Sequence, residues 1–185
     1  ASEPPAPLLQ SAILSNSGSS ATITFDSDTN KAITIIGNSA SWNCNVVFSF
    51  NGAAMCFCSF HSANTVFISF PPASKINITT ILLMPNDKIS VKPSTIKAIC
   101  RSRSITVCAS YSFAPISTVS TLAPINPTIP IVRLSMPPVI SNCDNLIVDI
   151  SSSTGSAGRP FQIVKLIVSA SNEIDVSVLQ MNISK

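Results

Sequence analysis

Fourteen prolines are spread along the 185-residue chain, and their positions most constrain what it can fold into. Each removes a backbone donor and clashes with the preceding helical turn. Between them the sequence is dominated by Thr, Val, Ile and Ser, which lose rotamer freedom or compete for backbone bonds in a helix. Long helices are therefore excluded and strands are expected. Ala21–Phe25 alternates as Ala-Thr-Ile-Thr-Phe, and Asn45–Phe50 reads as a strand with Val46, Phe48 and Phe50 on one face. Thr65–Phe70 follows, then Ile89–Val91 after a Pro85-Asn86-Asp87 turn, then Ser104–Ser112. Leu146–Ile150, Gln162–Ser169 and Ile174–Ile183 form a last set. Turn signals about every ten residues predict an all-β fold, an immunoglobulin-like β-sandwich.

The prolines also suggest a boundary. Residues 114–138 carry Pro115, Pro124, Pro127, Pro130, Pro137 and Pro138 among Ile, Ser and Thr, with no glycine. Such a composition favours extended, semi-rigid chain. The expected organisation is a β-sandwich over residues 1–113, a Pro/Ser/Thr-rich linker over 114–138, and a partial β-module over 139–185. The last part is too short to complete a sandwich by itself.

Apolar residues make up 45% of the chain and charged ones only 10%, so a packed core is within reach and disorder is not expected. So few charges leave hydroxyls, attached glycan or burial in a polymer to supply solubility, which points to an extracellular or cell-surface protein. The net charge of +3 names no polyanionic partner. Lys88, Lys92, Lys97, Arg101 and Arg103 form a mild basic run without interleaved aromatics, so no nucleic acid is expected. The most apolar runs, Ile76–Met84 and Phe161–Val168, are interrupted by Asn77 and Lys165 and fall short of the roughly 18 residues that span a bilayer. No membrane segment is expected in this chain. The start at Ala1 shows no leader pattern, as in a mature chain or a piece of a longer one.

Six cysteines, Cys44, Cys56, Cys58, Cys100, Cys108 and Cys143, occur with a single histidine and no Cys-x-x-Cys unit. Disulfides in an oxidising compartment fit this better than zinc. A hairpin through Asn51-Gly52 would bring Cys44 to Cys58. Cys100 and Cys108 bracket a loop short enough to close locally. Cys56 and Cys143 remain, and their bridge would tie the first unit to the second.

Catalytic constellations are missing. His61 is the sole imidazole, no Gly-x-Ser-x-Gly elbow exists, and five glycines leave no phosphate-cradling loop. Asp26-Ser27-Asp28-Thr29-Asn30 opens like a calcium loop but has Lys31 where glycine is required and Gly37 where glutamate is, so an Asx-rich turn is expected. Asp144 and Asp149 are placed to pair with Arg159 as an ordinary salt bridge. No enzyme activity, cofactor or metal is expected. Asn77-Ile78-Thr79 and Asn182-Ile183-Ser184 are N-glycosylation sequons, whereas Asn126-Pro127-Thr128 is blocked by its proline.

Three segments resemble the receptor-for-egg-jelly (REJ) and polycystic-kidney-disease (PKD) type extracellular module proteins, including polycystin-like surface proteins of protists and algae. Pro4-Pro5-Ala6-Pro7-Leu8-Leu9 with Thr22-Ile23-Thr24-Phe25-Asp26-Ser27 is similar to the family's first strands. Pro85-Asn86-Asp87-Lys88-Ile89-Ser90 with Thr95-Ile96-Lys97-Ala98 is similar to its turn-and-strand segment. The third runs from Ser141-Asn142-Cys143-Asp144-Asn145-Leu146 to Arg159-Pro160. Phe60 stands where the family commonly has tryptophan, and Gln162-Ile163-Val164-Lys165 where an aromatic strand is usual. The resemblance implies tandem immunoglobulin-like sandwiches, extracellular and without enzymatic activity, the second here an incomplete PKD-like module.

Two functions follow as expectations. The first is a structural glycoprotein, a subunit or repeat of a surface filament or coat whose partners are attached glycans and other copies of itself, assembled head to tail with Pro4–Leu9 as a strand donor. The alternative is a ligand-binding or adhesive segment of a polycystin-like receptor ectodomain, with Trp42 and Tyr111 as the aromatic contacts.

Overall fold

The computed structural model describes residues 3–72, 82–102, 105–141 and 146–155. Eight strands form one curled, open sheet: β1 (Leu9–Leu14), β2 (Ser20–Phe25), β3 (Trp42–Asn43), β4 (Phe48–Ser49), β5 (Phe57–Phe60), β6 (Thr65–Ser69), β7 (Lys88–Val91) and β8 (Thr118–Leu122). The strand order is β3-β5-β6-β2-β1-β8-β7-β4. All neighbours are antiparallel except β1 and β8, which run parallel through Ala12–Thr121 and Ile13–Leu122. Among the described residues, helix is confined to α1 (Ile33–Ile36), α2 (Ile105–Ser110) and 3-10 turns at Cys44–Val46 and Ala53–Met55.

The curl follows from chain path. β3 and β4 are the two ends of the sheet, yet only Cys44–Val47 separates them in sequence, so the two edges must approach each other. Inward residues then meet across a shared core. Phe25 on β2 and Phe48 on β4 stand 6.4 Å apart between ring centroids, and Ile23, Val66, Ile68, Ile89, Val91 and Ile96 are buried around them. Alternation along β2 and β6 sends Ala21, Ile23, Val66 and Ile68 inward.

The expected strand Asn45–Phe50 is not formed as such. Residues Cys44–Val46 make a 3-10 turn whose entry is fixed by the Asn43 side chain accepting the Asn45 N–H at 3.0 Å. Phe48–Ser49 alone is strand, and it pairs with β7. Val46 therefore points outward while Phe48 is fully buried. The turn at Asn51-Gly52 exists, with Gly52 at φ 82°, but its flanking strands pair with β7 and with β3 and β6 rather than with each other. The expected strand Ser104–Ser112 is instead the helix α2. Lys97 Nζ donates to the Ala109 carbonyl at 2.7 Å near the end of α2, where a cation complements the exposed carbonyls.

The expected linker 114–138 and the boundary at 113 also need correction. Ala114 is buried and its N–H donates to Ile96 O at 2.7 Å. β8 lies inside the stretch read as linker, with Thr121 buried and bonded through its backbone to Asn86 and Asp87. Pro115 and Pro124 flank β8 without entering it, so its donors are intact. The first unit thus continues to at least Leu122.

Beyond it, Asn126 and Thr128 donate their N–H groups to the Oδ1 and carbonyl of Asn16, in the β1–β2 turn. The chain then runs as a narrow ribbon, Ile131 bridging Thr154 and Ser135 bridging Asp149. At Gly155 (φ 85°) a Cβ would stand 2.8 Å from the Ile129 carbonyl oxygen, so this close approach requires glycine. The expected strands Gln162–Ser169 and Ile174–Ile183 lie outside the described residues. No helix among the described residues is long and apolar enough to cross a membrane.

Candidate functional site

Disulfides fix the frame on which any site is built. Cys44 and Cys58 are bonded, both fully buried, and pin the β3–β5 edge of the sheet. Cys100 and Cys108 are bonded and partly exposed beside α2. Cys56, between Cys44 and Cys58 in sequence, is buried, its carbonyl accepting the Cys44 N–H at 3.0 Å. Cys143, the proposed mate of Cys56, and the sequons at Asn77 and Asn182 lie outside the described residues, as does Arg159.

The residues singled out for chemistry are dispersed. Trp42 is only 7% exposed and stacks on Phe60 at 5.2 Å, so it is a core ring rather than a contact ring. Tyr111 lines an open cleft of about 390 Å³ with Pro4, Asp28 and Arg101. Asp28 and Arg101 form an exposed ion pair at 3.3 Å. Asn30 Oδ1 accepts N–H bonds from Ala32 and Lys97, giving the Asx turn, and Thr29 Oγ1 donates to Ala63 O. Among the described residues no three His, Cys, Asp or Glu side chains gather as metal ligands.

The basic run is spent on contacts within the chain. Lys88 Nζ donates to Ser120 Oγ, Lys92 Nζ to the carbonyl and Oδ1 of Asn45, and Lys97 lies 4.2 Å from the Phe113 ring centre. Arg103 lies outside the described residues.

The amino-terminal segment is likewise engaged. Glu3 Oε1 accepts the Ser112 N–H, which holds the Glu3 carboxyl below its usual range, while the Leu8 N–H donates to Asp26 Oδ1 and the Leu8 carbonyl accepts the Asp26 N–H. Pro7 and Leu9 are buried, and β1 is paired on both sides. Pro4–Leu9 is therefore part of its own sheet unit, not a strand left open for another copy.

Two surfaces stand out instead. The first is the ribbon and the chain leading to it, where Ile116, Ile125, Ile129, Val132, Val139 and Ile147 are each 67% or more exposed. The second is the outer face of the sheet. One row across β3, β5, β6 and β2 reads Asn43, Phe57, Ser69, Ser20. The next, across β5, β6, β2 and β1, reads Ser59, Phe67, Thr22, Ile13, and a third Thr65, Thr24, Ser11. No charged side chain occurs in these rows, and Phe57 and Phe67 are 57% and 40% exposed. The composition-based reading missed both rings. Their signal was the alternation Val66-Phe67-Ile68, which sends Phe67 outward once its neighbours turn in.

No family model and no curated protein matches the sequence. A solved structure, the crystal structure of the S-layer protein rSbsC(31-844), is similar at 17% identity and a TM-score of 0.34. The match covers 76% of this chain and 19% of that one, so the chain spans about a fifth of the protein it matches. At that TM-score the likeness carries neither fold nor function across.

Proposed function

We propose that this chain is a building block of an extracellular filament or coat, a non-enzymatic structural glycoprotein whose copies associate head to tail. The observation that carries this reading is the set of apolar side chains Ile116, Ile125, Ile129, Val132, Val139 and Ile147, each 67% or more exposed. Large apolar areas are rarely left in water on a soluble monomer, and they mark surfaces that another chain covers. The occupant is a second copy, with the ribbon of one chain packing on the amino-terminal sheet unit of the next. A heterologous contact of this kind does not close, and it generates strings. The two disulfides support an oxidising, extracellular setting.

The first unit reads as immunoglobulin-like. That scheme places strands A, B, E and D in one layer and C, F and G in the other. Taking β1, β2, β4, β5, β6, β7 and β8 as A to G, the observed order β5-β6-β2-β1-β8-β7-β4 is D-E-B-A followed by G-F-C, with β3 as an added edge strand. Glycan at Asn77 or Asn182 would add solubility to a charge-poor surface; an intact mass of the native protein equal to the bare 19.4 kDa polypeptide would contradict it. The second reading, a ligand-binding or adhesive ectodomain segment, is favoured by the uncharged sheet face bearing Phe57 and Phe67.

Sedimentation velocity and negative-stain microscopy of the full chain test the assembly reading. Regular strings are expected, and Ile125→Ser with Ile131→Ser and Val139→Ser should leave folded single particles. A chain that stays monomeric at high concentration, or a triple variant that still assembles, would overturn it.

A further inference from the structure

The geometry points to the outer face of the β5–β6–β2 sheet as a binding platform for an extended neutral polysaccharide. Phe57 lies directly across from Ser69, and Phe67 directly across from Ser59, so the two rings are diagonal neighbours on adjacent strands. Such neighbours are about 7–8 Å apart, close enough to act as one aromatic strip. Cys58 and Ile68, the alternate residues, face the core and are fully buried. The two phenyl rings are thus held outward by a rigid backbone, and they contribute little to the core they turn away from. Ser59 and Thr22 lie directly across from Phe67 on its two sides, and Ser69 directly across from Phe57, at the strand spacing of about 4.8 Å.

Three properties select the ligand class. A pyranose ring offers an apolar C–H face that stacks on an aromatic ring, and equatorial hydroxyls that bond to Ser and Thr hydroxyls at its edges. Strand spacing is close to the advance of one ring along an extended β-linked chain, so successive sugars laid along a row meet successive strands. The absence of charge on the rows argues against anionic glycans, nucleic acid and acidic lipid, which need Lys or Arg for affinity.

The test uses the full disulfide-bonded chain, with retention on microcrystalline cellulose and insoluble chitin and affinity electrophoresis in soluble xyloglucan. At least one polymer should bind, with the same affinity at low and high salt. Phe57→Ala and Phe67→Ala should each weaken binding about tenfold, the scale of one lost ring contact. Phe67→Tyr should retain it. Both alanine variants should keep the thermal midpoint and sedimentation profile of the parent, because the rings lie outside the core. The proposal is overturned if none of the polymers binds or if the alanine variants bind like the parent. It is also overturned if only an anionic polymer such as heparin binds and salt removes it, or if the alanine variants alter self-association, which would make this face a contact between copies.

Discussion

Ala12 in the first strand and Thr121 in the last lie side by side in the parallel pair β1–β8, so the sheet joins its start to its end. β8 also carries Val119 opposite Ile89 of β7. Without β8, both β1 and β7 would present unpaired backbone and the core would lose its cover. A chain ending at Phe113 should show no cooperative unfolding transition, whereas one ending at Pro124 should keep it. Circular dichroism melts of the two truncations decide the matter, and a cooperative melt from the shorter chain would refute the β8 assignment.

Phe48 and Val46 lie on opposite sides of the Cys44–Phe50 segment. Phe48→Ala removes a fully buried ring packed near Phe25 and should cost about 3–5 kcal/mol. Val46→Ala, at a 40% exposed position, should fall within about 0.5 kcal/mol of the parent. Urea denaturation of both variants checks the pair, and equal losses would restore a regular strand through 45–50.

Burial orders the reduction of the disulfides. Cys100–Cys108 is partly exposed and Cys44–Cys58 fully buried, so mild reductant with alkylation should label Cys100 and Cys108 first. Removing Cys44–Cys58 by paired serine substitution should cost about 3 kcal/mol from loop closure, more if packing is lost as well. Peptide mapping by mass spectrometry after a reduction series reads the order directly.

Acid should release the amino-terminal segment before it unfolds the sheet. The Glu3 carboxyl is held below its ordinary 4.5, first by the Ser112 backbone N–H and then by the Ser112 side chain. A lowered folded-state pKa means the contact contributes fully above the unfolded value and is lost as pH falls through the lower folded value. Protection of the Ser112 amide relative to its intrinsic exchange rate should therefore be lost only as pH falls below the ordinary carboxylate range. Glu3→Ala should show that loss of protection already at neutral pH, and a Ser112 protection factor unchanged by acid or by the substitution would sink the assignment.

Trp42 buries an indole Nε1 that has no hydrogen-bond partner among the described residues. An orphaned buried donor carries a desolvation cost that phenylalanine avoids. Trp42→Phe, retaining the stack on Phe60, should change stability by less than about 1 kcal/mol despite the lost volume. A loss of several kcal/mol in a thermal melt would show that the indole is held by something other than packing.

Local chemistry determined much of this protein. Prolines and β-branched residues exclude long helices wherever they fall, and alternation marks Ala21–Phe25, Thr65–Phe70 and Ile89–Val91 because a strand's period of two is written in its own residues. Tertiary structure decided the rest, wherever a segment's partner lies far off in the chain. Thr118–Leu122 looks like linker because prolines surround it, and becomes a strand only because β1 and β7 leave a slot between them. Ile105–Ser110 has strand composition, yet it is helical where Cys108 is bonded to Cys100 and Lys97 meets the Ala109 carbonyl. Cys44–Val46 turns because the chain must cross from one edge of the curled sheet to the other. Phe57 and Phe67 share one strip only through the β5–β6 register. Pairing between distant segments is set by the global arrangement of edges, and no short window of sequence contains it.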